Sequence, residues 1–138
     1  ARENHCVLMD AIKTAYATAY HRMLLLVKTG IIGNPRSIDA TCTSIRSVDM
    51  SDPKAMERSW NSISAWGPTA LLPVLQIFGT DYNDERIITW MDNEEYHYDA
   101  FTKIDFCYPG AVASVKVGHI WDEGIYLCAG SMVENRIF

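Results

Sequence analysis

The sequence predicts an α+β domain in which helices near the start of the chain pack on an antiparallel sheet formed by the second half. Two observations carry this prediction. Apolar residues recur at helical spacing over residues 6–28, and after residue 70 the apolar period changes to two, with polar turns between the segments. The chain has 138 residues and no linker or low-complexity stretch, so one domain over residues 1–138 is expected.

The first helix is predicted over residues 6–28. Asn4 is placed as its N-cap and Gly30 as its C-terminal cap. A second, short helix is predicted to begin at Asp52-Pro53, because aspartate caps helices and proline is tolerated in the first turn. It is expected to end before Gly67-Pro68. The apolar stripe of the first helix has seven members at spacings of three and four: Leu8, Ile12, Ala15, Tyr16, Ala19, Met23 and Leu26.

The second half of the chain is predicted to consist of strands. Residues 38–48 fit either a helix or a strand, and the pattern leaves that choice open. Tyr108-Pro109-Gly110-Ala111 has the Pro-then-Gly order of a type II turn. Pro73 pushes the first strand segment towards a sheet edge. The segments with a period of two are 71–78, 86–91, 96–108, 112–121, 125–129 and 133–138, which gives a sheet of five to six strands.

Composition excludes several function classes. The net charge is −5 and the basic residues are scattered singly, so nucleic-acid binding is not expected. The longest apolar run, residues 23–27, is far shorter than the roughly 20 residues of a membrane span, so no membrane association is expected. No signal peptide is expected at residues 2–5. The compartment stays open, with the cytoplasm favoured over secretion.

The cysteines and histidines show no metal-binding spacing. There is no C-x-x-C pair and no H-x-x-x-H or H-x-H, so neither a metal nor a cofactor is expected. The even number of cysteines allows two disulfides, and four free thiols are the other interpretation. In a simple meander, Cys107 and Cys128 would lie about 10 Å apart, which is too far for a disulfide. The other two cysteines are Cys6 and Cys42.

Three segments near the end of the chain carry a resemblance to a known family. Residues 103–117 look like a pair of strands joined at a glycine, residues 122–127 like the next strand, and residues 133–138 like a closing strand. In this pattern the chain resembles the nuclear-transport-factor-2-like superfamily, in particular its SnoaL-like and lumazine-binding-type branches. The resemblance covers about a quarter of the chain and contains no chemical signature.

The resemblance implies a cone-like fold, in which a curved antiparallel sheet wraps around the N-terminal helices and leaves a pocket between them. Members of this superfamily use the pocket to bind small apolar molecules, to isomerise or dehydrate them, or to dimerise. It therefore implies a pocket domain for a small apolar molecule, acting as a cofactor-independent isomerase or dehydratase, with a homodimer as the assembly. A non-catalytic dimerising module is the alternative.

His119 is the first candidate for catalysis, because alternation along residues 112–121 places it on the apolar face that should meet the helix. A structural histidine with one hydrogen bond is the other interpretation. Tyr16 lies where the resemblance implies an oxyanion hydrogen-bond donor, and Asp39 is the candidate carboxylate base. The residues expected to line the pocket are Tyr20, Trp90, Val117 and Trp121.

A papain-like cysteine peptidase is the third hypothesis. Cys6 begins the predicted first helix, and a helix N-terminus lowers the pKa of a thiol. His119 on a distant strand would then be the base. This hypothesis requires the Cys6 thiol and the His119 ring to lie in contact.

Overall fold

The computed structural model describes residues 2–7, 9, 11–44, 49, 51–119 and 134–137. Two 3₁₀ helices, Arg2–Asn4 and Lys13–Tyr16, open this part of the chain. No helix in the described ranges combines the length and the apolar character that crossing a bilayer requires. The elements that follow are α1 (Thr18–Lys28), β1 (Ser37–Ser44), α2 (Pro53–Arg58), α3 (Ser62–Phe78), β2 (Asp84–Asn93), β3 (Tyr98–Tyr108), β4 (Ala111–His119) and β5 (Glu134–Ile137).

The strands form one open, mixed sheet in the order β2-β3-β4-β1-β5. β1 runs parallel to β4, from Ser37 beside Val112 to Ser44 beside His119, whereas the other neighbours are antiparallel. The prediction of a curved, cone-like antiparallel sheet is therefore wrong. A parallel pair needs a long crossover, which α2 and α3 provide here, and a pairing between strands so far apart in sequence leaves no trace in the local pattern.

The longest helix, α3, forms where the sequence predicts the end of a helix and then a strand over 71–78. Pro68 and Pro73 both lie inside it. Each proline removes one backbone hydrogen bond, but the helix buries a stripe of small and apolar side chains at spacings of three and four against the sheet. That stripe includes Gly67, Ala70 and Val74. Tertiary packing therefore outweighs the helix-breaking signal.

The first helix is shorter than predicted. α1 begins only at Thr18, because Ala17 has extended backbone angles (φ −72°, ψ 129°). Asn4 lies in a separate 3₁₀ helix, so it does not cap α1. Gly30, with φ +73°, directly follows the C-cap residue of α1, as the sequence predicts. The hydroxyl of Tyr20 donates a 2.7 Å hydrogen bond to Gln76 and ties α1 to α3.

The core lies between α3 and one face of the sheet. Strands β1, β3 and β4 alternate in burial, so every second side chain packs under the helix. The residues of the opposite face are exposed or half-exposed, and we call this surface the open face. On β1–β4 its members are Ser37, Asp39, Thr41, Asp84, Arg86, Ile88, Trp90, Phe101, Lys103, Asp105, Cys107, Val112, Ser114 and Lys116.

Candidate functional site

The parallel strands β1 and β4 end at the same edge of the sheet, and α3 begins there. The carbonyl oxygen of Trp60, just before α3, lies 3.2 Å from Nε2 of His119, the last residue of β4. In open sheets with parallel strands, ligands bind in the crevice beyond the carboxyl ends of those strands. This edge is therefore the candidate functional site.

His119 is fully buried at this edge and is held by aromatic residues. The indole N–H of Trp66 donates to Nδ1 at 3.3 Å, and the ring stacks on Tyr98 with centroids 5.9 Å apart. Because an indole can only donate, Nδ1 is the acceptor, and Nε2 carries the proton donated to the carbonyl of Trp60. The imidazole therefore fastens the start of α3 to the end of β4.

A buried carboxylate holds the first turn of α3 from the neighbouring strand. Oδ1 of Asp99 accepts a 2.7 Å hydrogen bond from the backbone N–H of Ser62. Oδ2 accepts from the hydroxyl of Ser62 and, at 2.7 Å, from that of Thr102. A helix start exposes unpaired N–H groups and a positive dipole end, so a carboxylate is stabilised there. The role of Asp99 at the start of α3 was not predicted from the sequence. The signal for it was an aspartate within a strand rich in aromatic residues.

A depression of about 550 Å³ opens beside this helix start. Trp60, with 67% of its surface exposed, and Tyr96 supply aromatic surface. The side chains of Asn61 and Ser64 supply hydrogen-bonding groups, and Asn61 also donates to the carbonyl of His97 at 3.4 Å. We call this depression the terminal pocket. Its lining residues are Ser59, Trp60, Asn61, Ser64, Tyr96, His97 and Tyr98, and the set contains no carboxylate and no ammonium group.

The three residues predicted to act in catalysis do not converge. His119 points to the helix side of the sheet, whereas Asp39 lies on the open face, where its carboxylate is 4.0 Å from the Lys116 ammonium. Tyr16 is in a 3₁₀ helix and is 62% exposed. Catalytic roles for these residues stay predictions, but the structure does not gather them into one site.

The residues predicted to bind a ligand are also dispersed. Val117 is buried in the core under α3, and Tyr20 is buried on α1 with its hydroxyl bonded to Gln76. Trp90 lies on β2 with 57% of its surface exposed. Trp121 lies outside the described residues. The predicted pocket between the first helix and the sheet is therefore not formed by this set.

The cysteine-peptidase hypothesis is wrong. Cys6 is exposed and follows a 3₁₀ helix of three residues, where its Sγ contacts the Asn4 carbonyl at 3.3 Å. Both ring nitrogens of His119 already bond to tryptophans, so the imidazole is not placed beside that thiol. Cys42 is buried and Cys107 exposed, both as free thiols, and Cys128 lies outside the described residues.

The fold is similar to part of several solved oxidoreductases. An NAD-binding oxidoreductase from Klebsiella pneumoniae matches with a TM-score of 0.64 at 15% identity, over 87% of this chain and 36% of that protein. An aldose-aldose oxidoreductase from Caulobacter crescentus, complexed with glycerol, matches with 0.58 at 12% identity, over 86% and 37%. An Agrobacterium radiobacter oxidoreductase in complex with NAD⁺, L-tartaric acid and magnesium matches with 0.56 at 20% identity, over 75% and 30%.

This chain thus spans about a third of the length of the oxidoreductases it matches. At these identities the likeness shows the fold. It overturns the resemblance to the nuclear-transport-factor-2-like superfamily and, with it, the isomerase or dehydratase interpretation. No protein-family model and no curated protein sequence matches the chain.

The residues of this chain do not fit the pyrophosphate of a dinucleotide. Such a site needs a glycine-rich G-x-G-x-x-G turn leading into a helix, and the sequence contains no such pattern. A carboxylate also stands at each of two helix starts. Asp52 accepts from the N–H of Lys54 at 2.9 Å in α2, and Asp99 accepts from Ser62 in α3. A phosphate at either helix start would be repelled by the carboxylate that is already there.

Proposed function

We propose that this chain forms the substrate-side domain of an NAD-dependent oxidoreductase whose dinucleotide is held by another part of the enzyme. The observation that carries the proposal is the terminal pocket, whose lining residues Trp60 and Tyr98 contact His119 at the carboxyl end of β4. The matched oxidoreductases, each covered only in part, support the class of enzyme. The carboxylates at the starts of α2 and α3 support the assignment of the dinucleotide to another part of the enzyme, because they occupy the places where a helix start would bind a phosphate.

The lining of the terminal pocket favours a small hydroxylated compound as the substrate. Trp60 and Tyr96 offer flat surfaces for C–H groups, and Asn61 and Ser64 offer neutral donors and acceptors for hydroxyls. The Caulobacter protein was solved with glycerol and the Agrobacterium protein with L-tartaric acid, both of which are hydroxylated. In this proposal the residues of the pocket bind and orient the substrate.

The surface around α1 supports a second part of the enzyme that packs on this domain. Large apolar side chains are exposed on α1 and in the segments on either side of it, including Val7, Met9, Leu25, Ile31 and Ile32. Contiguous exposed apolar surface on a soluble domain marks a contact site. We propose that the dinucleotide-binding part covers this surface.

Nuclear magnetic resonance of the tryptophan indoles tests the pocket. The chain has four tryptophans, so ¹⁵N-labelled indoles give four signals. Titration with glycerol, which is neutral and hydroxylated, is expected to shift the signal of Trp60, which lines the pocket, and to leave that of Trp90 in place. Trp60→Ala should weaken binding by up to about tenfold, which corresponds to the loss of one aromatic contact. The matched control, Trp90→Ala, removes an exposed tryptophan on the open face, which is the side of the sheet opposite to α3, and should leave the affinity unchanged.

Two further titrations test the assignment to the substrate side and the class of the substrate separately. Calorimetry with NADH is expected to show no binding to this chain, and micromolar binding would contradict its assignment to the substrate side. Titration with 1-anilinonaphthalene-8-sulfonate tests the prediction of a small apolar ligand, which stays a prediction. If glycerol does not move the Trp60 signal while the apolar dye does, the hydroxylated substrate class is wrong.

A further inference from the structure

The open face carries its charges in two adjacent rows that cross the sheet. Arg86, Asp105, Ser114 and Asp39 are neighbours across β2, β3, β4 and β1, and we call them the aspartate row. Ile88, Lys103, Lys116 and Thr41 are the neighbours two residues further along the strands, and we call them the lysine row. The two rows lie about 6.6 Å apart, which is the rise of two strand residues.

The charges of the open face balance, although the chain as a whole is acidic. On strands β1–β4 three basic groups, those of Arg86, Lys103 and Lys116, stand with three acidic groups, those of Asp39, Asp84 and Asp105. The chain carries a net charge of −5. Two copies that meet through this face therefore bring no excess of like charge into the contact.

The order of the rows makes the face complementary to itself. Consider a two-fold axis that runs parallel to the rows and midway between them. It places the aspartate row of one copy opposite the lysine row of the other, so Asp105 meets Lys103 in both directions. The same axis places Cys107 of one copy opposite Phe101 of the other, because these β3 residues lie one row further out on each side.

The remaining side chains and the area suit such a contact. Ile88, Trp90 and Val112 are exposed apolar residues of the open face. At about 4.8 Å per strand and about 3.3 Å per residue, four strands of about eight residues and the shorter β5 give roughly 600 Å² per copy, or about 1,200 Å² in total. That total is at the lower end of specific interfaces, at about 1,200–2,000 Å². Interfaces at this end of the range are often transient, so we test for association in the micromolar range.

We propose that the open face is a two-fold interface between two copies of this chain, with the aspartate row of each copy facing the lysine row of the other. The interface goes beyond the proposed function, since it uses neither the terminal pocket nor the surface around α1. The sedimentation test below contains no dinucleotide or substrate, so its failure leaves the oxidoreductase proposal untouched.

Sedimentation velocity over about 1 to 200 µM chain is expected to show a monomer–dimer equilibrium. Lys103→Glu and Asp105→Lys each put like charges face to face, and each should raise the dissociation constant at least about tenfold. An equimolar mixture of the two variants should form a heterodimer, and the double variant K103E/D105K should dimerise again. The matched control is Lys54→Glu, at an exposed position on α2, which should dimerise like the unmodified chain.

The native thiols give a second measurement that needs no substitution. Alkylation of Cys107 by iodoacetamide should slow as the concentration rises through the dissociation constant, whereas that of exposed Cys6 should not change. A chain that stays monomeric throughout the range overturns the proposal. So does a dimer that survives both charge reversals, or one that leaves Cys107 as reactive as in the monomer.

Discussion

Replacement of His119 by alanine tests whether the imidazole holds the start of α3. The ring is fully buried and makes two hydrogen bonds, to the Trp66 indole at 3.3 Å and to the Trp60 carbonyl at 3.2 Å. A buried partner left unsatisfied costs about 1–3 kcal/mol, and water recovers part of that loss here because both bonds are only part-buried. The substitution also leaves a cavity where the ring was. The two effects together should lower the free energy of unfolding by about 2–4 kcal/mol.

Against a total of about 5–15 kcal/mol for a domain, this loss is large, and it should lower Tm by about 8–16 °C. Thermal unfolding followed by circular dichroism measures it. His119→Gln supplies an amide donor and a carbonyl acceptor and should recover part of the loss. His21→Gln, on the exposed side of α1, is the control and should change stability by less than about 0.5 kcal/mol. If His119→Ala costs less than about 1 kcal/mol and the Trp66 indole signal stays in place, the reasoning is wrong.

Three other perturbations have expected outcomes. Tyr20→Phe removes the bond between α1 and α3 and should cost about 0.5–1.5 kcal/mol in urea unfolding, whereas Tyr16→Phe, at an exposed hydroxyl, should cost nothing measurable. A hydrogen bond from Lys103 lowers the pKa of Asp105 below its ordinary value of 3.8. The ionised carboxylate therefore stabilises the fold above pH 3.8, and this contribution is lost as the pH falls through the lowered pKa. At a dilution that keeps the chain monomeric, the Tm of Asp105→Asn should be lower than that of the unmodified chain at pH 7, and the two Tm values should converge in acid. Burial raises the pKa of the Cys42 thiol, so Cys42 should react with iodoacetamide more slowly than the exposed thiols of Cys6 and Cys107. Mass spectrometry measures the three rates, and equal rates would contradict the burial of Cys42.

Local signals in the sequence predicted the parts of the fold that local chemistry determines. Asp52-Pro53 does begin a helix, with the Asp52 carboxylate bonded to the N–H of Lys54, and the turn at residues 108–111 has Gly110 at φ +81°. Both features depend on a few adjacent residues. The parallel pairing of β1 with β4 joins segments more than 70 residues apart, so no local pattern contains it. The same reason explains why α3 was predicted as the end of one helix and a strand.

The site was less accessible to sequence analysis than the fold, because the contacts that join α3 to β3 and β4 are long-range. Alternation along β4 places His119 on the helix side, but the tryptophans that bond it lie 53 and 59 residues earlier. Asp99 and Ser62, which fix the first turn of α3, are 37 residues apart. A residue type and its strand face are readable from sequence, whereas the identity of a partner depends on the topology that brings it there.

The two capping carboxylates connect the local chemistry with the proposed role of the domain. A helix start can satisfy its free N–H groups with a ligand anion or with a side chain of the protein, and one choice excludes the other. This chain uses side chains: Asp52 in α2, and Asp99 together with the N-cap residue Asn61 in α3. The dipole that would hold a phosphate in a nucleotide-binding domain stabilises the fold here. In the proposed function, the terminal pocket beside α3, which is lined by no carboxylate and no ammonium group, takes a neutral hydroxylated molecule. The proposed function therefore assigns the dinucleotide to a separate part of the enzyme, and we propose that this part packs on the exposed apolar side chains around α1.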